Sequence, residues 1–276
     1  MSMRDREGAR GTVAHREAGD AGRIEITQQK FLDWFRDGDN AQDKFNEKYK
    51  TERAVGSANL TLFGFLRQHE GLFRRPGKER KRKTEGAGVF SGLKFIDMGA
   101  GARRLNQISG PQLGALLAHE GAEVFLVDRE AQREGTKAFF ETHFSDKAHF
   151  VEEDFESWYS AGKKDKGDVY AMLATSDADA VVTSRFIGSS PNFSGELDIT
   201  APERFAEFAA GLKELAPWQV HVINTGDLGH SDLSSPMIRE ALEKSGLKIS
   251  ANSYDTVKEG SDRYRYGIIV LRRVEK

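Results

Sequence analysis

The sequence predicts an α/β protein in which a seven-stranded, mostly parallel sheet ends in a C-terminal antiparallel hairpin and carries an N-terminal helical extension. Three observations predict it. From residue 93 onward, short apolar runs alternate with amphipathic helical stretches, the order that builds a parallel sheet covered on both faces. The last two apolar runs are separated only by a charged connection, as in a hairpin. The chain also has the material for a core: 276 residues, 38% hydrophobic, with 18 Phe. That excludes general disorder and suits one large domain, or one domain with an appendage.

Taken in order, residues 1–22 have almost nothing to bury and read as a disordered tail. Thr27 is a helix cap before Phe31, Leu32, Trp34 and Phe35, which fall at helical spacing. Phe45 and Tyr49 lie four apart on a second helix, and Leu60, Leu62, Phe63, Phe65, Leu66 and Phe73 mark a third that ends near Gly71. Residues 23–86 thus form a helical cap, too short to stand alone, that packs on the α/β portion of the chain. Its last part, 74–86, is a basic linker. Residues 87–276 hold the sheet. Strands are expected at Leu93–Asp97, Glu123–Asp128, His149–Asp154, Ala180–Ser184 and Gln219–Asn224, with the hairpin formed by Leu247–Tyr254 and Tyr264–Leu271. Helices are expected from Pro111 to His119, around Ala131–Phe144, from Pro202 through Leu215, and from Pro236 to Lys244 before Gly246. Ser109 is a candidate cap for the first of these, and Pro111 sits where its missing N–H costs nothing.

Composition removes several function classes. With no Cys there is no thiol nucleophile, disulfide scaffold or cysteine metal site. The seven His are scattered, so a metal centre has little support. The charged N-terminus does not look like a secretory signal, and no run approaches the roughly 18 apolar residues of a membrane span; a cytoplasmic protein is expected. Charge is uneven. Residues 1–86 carry 19 Lys+Arg against 14 Asp+Glu, and the remainder 22 against 29. The seam is the basic run Arg74–Lys83, a solvated linker that also offers a surface for phosphates.

The segment Phe95-Ile-Asp-Met-Gly-Ala-Gly-Ala102 carries the chemistry. In open α/β sheets ligands bind beyond the carboxyl ends of the strands, where the first strand turns into its helix. Gly99 and Gly101 let the backbone approach a ligand that a Cβ would keep away, and Asp97 can accept hydrogen bonds from a cationic amine. Asp128, with Glu130 as its rival, ends the second strand, where a carboxylate can accept both hydroxyls of a ribose. Asp154 ends the third, followed by Phe155, a pair able to accept an adenine amino group and pack the base.

With these features in this order the chain resembles the class I, Rossmann-like, S-adenosylmethionine-dependent methyltransferases. The likeness runs through Phe95–Gly101, Val124–Asp128, His149–Phe155, Asp179–Phe186 and Leu212–Asn224. Leu215-Ala-Pro-Trp-Gln-Val is similar to that family's helix-to-strand turn, and Leu242–Gly246 with the hairpin to its ending. The resemblance covers about residues 88–273 and implies S-adenosyl-L-methionine as cofactor. It implies methionine contacts near Asp97, Gly99 and Gly101, ribose contacts at Asp128, and adenine contacts at Asp154 and Phe155. Arg129 and Ser184 complete the implied cofactor set. Two departures stand out. Arg103, followed by Arg104, replaces the family's third loop glycine, and Asp97 and Asp128 lie 31 positions apart, which makes Arg103–Gly110 an insertion. Both Arg side chains are expected to point away from a sulfonium.

A dinucleotide fingerprint fits less well, since residue 104 is Arg where a glycine is wanted. A Walker A loop is absent. Ser190-Pro-Asn-Phe193 lies too far past the fourth strand to serve as an amino-methylation motif and reads as a loop. His230, Arg185 and Tyr254 are the candidates for acid–base work on the rim. Three functions are compatible with these residues. In the leading one, Trp34, Phe35, Phe45, Tyr49 and Phe63 roof a pocket for a small-molecule methyl acceptor. In the second, residues 74–83 hold RNA or another acidic macromolecule. In the third, Arg103 closes the pocket of a non-catalytic binding module. No membrane association is expected.

Overall fold

The computed structural model describes residues 57–74, 88–103, 110–158, 166–187, 202–224, 236–256 and 265–274. Within them the helices are α1 Ser57–Gln68, α2 Gln112–His119, α3 Glu134–Phe144, α4 Gly167–Thr175, α5 Pro202–Leu212 and α6 Pro236–Lys244. The strands are β1 Lys94–Met98, β2 Glu123–Asp128, β3 Ala148–Glu152, β4 Ala180–Ile187, β5 Trp218–Asn224, β6 Leu247–Thr256 and β7 Arg265–Arg273. They form one seven-stranded sheet in the order β3-β2-β1-β4-β5-β7-β6. The first five strands are parallel. β7 enters antiparallel beside β5 and pairs antiparallel with β6 at the edge.

β1 and β2 are buried on both faces along almost their whole length, which is why they read as unbroken apolar runs. One face is covered by α1, α2 and α3, with Leu62, Phe63, Leu66, Leu116 and Phe140 meeting Phe95, Val124 and Leu126. The other is covered by α4, α5 and α6, with Leu173, Phe205, Phe208 and Leu242 meeting Ile96, Val127 and Val181. Phe63 is therefore a core residue, its ring edge-to-face with Phe90 at 5.9 Å. Trp34, Phe35, Phe45 and Tyr49, and the first two helices expected ahead of α1, lie outside the described residues.

The chain entering β1 is clasped to the helical layer. Arg74 donates to Glu70 at 2.6 Å and to the Val89 carbonyl at 2.9 Å, and the Val89 N–H donates to the Glu120 carboxylate at 3.0 Å. The first arginine of the expected basic linker is thus committed to holding the fold; residues 75–87 lie outside the described residues. A Cβ on Gly88 would run into the backbone of Glu120. Gly88→Ala should accordingly destabilise the protein by about 1–3 kcal/mol, read as a lower urea midpoint with an unchanged m-value.

The sheet differs from the sequence expectation in detail. α4, between β3 and β4, has no counterpart there: it is nine residues long and buries only Tyr170 and Leu173, too few apolar positions to show a clear period. α3 begins at Glu134 rather than near Ala131; in the loop ahead of it Gln132 Nε2 donates to the Gly101 carbonyl. α1 stops at Gln68 and a 3-10 turn over Glu70–Phe73 finishes it. α5 ends at Leu212, with Leu215 buried in the following turn. β4 continues past Ser184 to Ile187, and the hairpin strands reach Thr256 and Arg273. Pro111 lies just ahead of α2, with φ −76°; Ser109 lies outside the described residues.

Candidate functional site

The carboxyl ends of β1, β2 and β3 come together on one rim. Along β1 and β2 the register pairs Asp97 with Leu126 and Met98 with Val127. The chain then leaves β1 through Gly99 and Gly101, whose φ angles of 70° and 90° lie in the left-handed region; glycine is required there on conformational grounds. The Gly99 and Ala100 N–H groups both donate to the Val127 carbonyl, at 2.9 and 3.1 Å, so the loop is laced back onto β2.

Asp128 does more than end its strand. Its Oδ2 accepts the Gly101 N–H at 2.9 Å and its Oδ1 the Glu130 N–H at 3.1 Å. A carboxylate has about four lone-pair positions, so each oxygen keeps capacity for a further donor such as a hydroxyl. Arg129 and Glu130 beside it are exposed. Gln132 approaches Gly101 from the other side, its Nε2 donating to the Gly101 carbonyl at 2.6 Å.

Asp97 is 1% exposed. Burial pushes its carboxyl up to about 7, the Asp128 charge adds to the rise, and the Gly114 N–H in the first turn of α2 opposes it. Among the described residues neither carboxyl oxygen, both buried, makes a well-formed hydrogen bond. The same holds for Gln132 Oε1 and for the indole N–H of Trp158, in residues 6% and 2% exposed. A buried polar group left unpaired costs about 1–3 kcal/mol. Here such groups occur at the end of β1, in the loop after β2 and in the turn after β3. Asp154 is exposed, whereas Phe155 turns its ring into the core, 6.1 Å from that of Trp158.

Of the other expected residues, Ser184 is buried on β4. Arg185 follows it on the same strand, and Tyr254 lies on β6 opposite Gly267. β6 is four strands from β1, roughly 20 Å at the usual strand spacing, so Tyr254 does not adjoin the first three strands. His230 and Arg104 lie outside the described residues. Arg103 is exposed to solvent. Gln132 and Trp158 were not among the sequence candidates; neither carries a motif, and only their unpaired buried atoms single them out.

Charge at this rim favours a cation. Asp97, Asp128, Glu130, Glu152, Glu153 and Asp154 gather there against Arg103, Arg129 and Arg133, and Lys137 is paired with Glu134 at 3.1 Å. A cleft of about 100 Å³ opens beside Gln132, between β3 and α3; it is smaller than a small-molecule pocket of about 300 Å³ or more. Among the described residues no group of three or more His, Asp or Glu could hold a metal ion, and no helix is long and apolar enough to cross a membrane.

The sheet is thus a seven-stranded Rossmann-like α/β sheet, with β7 inserted antiparallel between β5 and β6. No family model and no curated protein sequence matches the chain. Among solved structures, it is similar to the 1,6-didemethyltoxoflavin-N1-methyltransferase of Burkholderia thailandensis, with bound 1,6-didemethyltoxoflavin and S-adenosylhomocysteine. That likeness has 13% identity, covers 95% of this chain and 99% of that one, and has a TM-score of 0.47. It is also similar to the magnesium protoporphyrin IX methyltransferase of Synechocystis PCC 6803 with bound S-adenosylhomocysteine (14% identity, 89% and 99% covered, TM-score 0.46). A third is a 16S rRNA (adenine(1408)-N(1))-methyltransferase mutant from Catenulisporales acidiphilia (14% identity, 68% and 89% covered, TM-score 0.45).

Proposed function

We propose that the protein is an S-adenosylmethionine-dependent methyltransferase that binds its cofactor across the ends of β1, β2 and β3 and acts on a small-molecule acceptor. One observation carries this: among the described residues, buried polar groups without a hydrogen-bond partner stand at the end of β1 (Asp97), in the loop after β2 (Gln132) and in the turn after β3 (Trp158). The first two are joined by the glycine loop, with Gly99 and Gly101 at positive φ and Gln132 bonded to the Gly101 carbonyl. A nucleoside with a cationic tail suits that set. Asp97, Gly99 and Gly101 would hold the methionine part, Asp128 the ribose hydroxyls, and Asp154 with Trp158 the base. The acidic rim suits a sulfonium and disfavours the phosphates of a dinucleotide or a polyanionic acceptor at the same place.

When bound, the cofactor supplies an electrophilic methyl group on a positively charged sulfur. The chain's own contribution is positioning and exclusion of water, the terms that dominate an in-line displacement. Asp128 ties the β2 loop to the glycine loop, so the groups facing the ribose and the methionine tail form one rigid unit. Arg103, exposed to solvent, keeps its positive charge away from the interior of the rim.

Calorimetric titration with S-adenosylhomocysteine tests the proposal directly, and absence of binding to the full chain would overturn it. In the same titration, Asp128→Ala should weaken binding by about 1–3 kcal/mol, through lost charge-assisted bonds and a loosened Gly101. Unchanged affinity in that variant would remove Asp128 from the site.

A further inference from the structure

We infer that Gln132 is a positioning residue for the cofactor, a role that rests on the function proposed above. Gly101 is gripped on both of its backbone polar groups by side chains from the end of β2 and the loop after it. Its N–H goes to Asp128 Oδ2 at 2.9 Å and its carbonyl receives Gln132 Nε2 at 2.6 Å. These two bonds fix the peptide planes on either side of a residue at φ 90°, where glycine would otherwise sample a wide range of conformations. Asp128 alone would leave the second plane free to turn. The grip comes from a side chain 6% exposed, so it is part of the interior rather than a surface contact.

The assignment of the amide is unambiguous. The Gly101 carbonyl can only accept, so the nitrogen of Gln132 faces it and the oxygen faces away. That oxygen is buried and meets no donor among the described residues. A side chain kept for stability alone would not leave half of its amide unpaired, because the unpaired half works against folding. An amide retained to hold the loop in the shape a ligand needs accepts that penalty, and the ligand gains from a loop already ordered before it arrives.

Stability and affinity should therefore separate. Gln132→Met keeps the length of the side chain, removes the bond to Gly101 and removes the unpaired oxygen. It should unfold at the parental temperature or above it, yet bind S-adenosylhomocysteine about tenfold more weakly, the loss of one well-placed hydrogen bond. Gln132→Glu, which keeps the shape but cannot donate when ionised, should lose affinity at least as much. Faster exchange of the Gly101 and Ala102 amides with deuterium in Gln132→Met would show the loop released. Parental affinity in both variants would overturn the inference while leaving the cofactor assignment intact. So would an affinity loss in Gln132→Met matched by an equivalent loss of stability. Failure of the unsubstituted chain to bind S-adenosylhomocysteine would instead overturn the function on which the inference rests.

Discussion

Asp97→Asn should stabilise the protein by about 4 kcal/mol at pH 8 and leave its stability unchanged below pH 3.8. The carboxyl titrates near 7 in the folded chain against 3.8 when unfolded, and each unit of difference is worth about 1.4 kcal/mol. Its folded pKa is raised, so the stability attached to the proton is fully present below 3.8. It is lost as pH rises through 7, where the folded chain must carry a buried, unpaired charge beside Asp128. Asparagine has the same shape and never charges. Denaturant unfolding of parent and variant across this range should show the difference growing from zero to its plateau between about pH 4 and pH 7. A pH-independent difference would show that Asp97 is already ionised and paired. The gain should come at a cost: the variant loses the one charge buried at the end of β1, and its affinity for S-adenosylhomocysteine, with its ammonium, should fall at pH 8. Such an exchange of stability against binding is what a strained functional group produces.

Much of the sheet was legible because its strands obey simple rules. β1 and β2 are buried on both faces and appear as continuous apolar runs, and the glycines after β1 are demanded by their φ angles. Asp97, Gly99, Gly101 and Asp128 could be placed together for that reason: residue type and strand position alone put them at the carboxyl ends of β1 and β2. α4 could not, since Tyr170 and Leu173 are the only residues it buries. Phe155 illustrates a different limit. An aromatic after a strand-ending acid suggests a face for a base, but whether its ring turns outward or inward depends on the space under α4 and α5, and here it turns inward beside Trp158. Gln132 lay inside a stretch expected to be helical. The part proposed for it depends on a bond to a backbone carbonyl 31 residues away, which no local pattern encodes.

His221 should produce an effect equal in scale to that of Asp97 and opposite in sign. It is fully buried on β5, with the rings of Phe205 and Phe208 edge-on at 5.8 and 5.6 Å. Gln219 donates its Nε2 to the Ala209 carbonyl at 2.9 Å, so its oxygen faces His221 Nε2 at 3.0 Å. That oxygen can only accept, which places the imidazole proton on Nε2 and leaves Nδ1 to accept from Thr183 Oγ1 at 3.0 Å. The ring is satisfied when neutral, and burial lowers its pKa from 6.5 to about 3. Its folded pKa is depressed, so stability is fully present above 6.5 and is lost as pH falls toward 3, at about 1.4 kcal/mol per unit. Between roughly pH 4 and 6.5 the folded chain holds a proton on Asp97 that the unfolded chain holds on His221, and the two slopes cancel. Removing one partner should expose the other. Asp97→Asn should lose stability on acidification across this window, by about 1.4 kcal/mol per pH unit more than the parent. His221→Gln, which keeps hydrogen-bonding capacity toward Thr183 and Gln219, should instead be destabilised at neutral pH and recover toward the parent as the medium is acidified. A His221→Gln difference that stays constant from pH 7 to pH 4 would mean that the imidazole is protonated, or solvated, in the folded protein, and the buried polar chain from Thr183 to Ala209 would then have to be drawn differently.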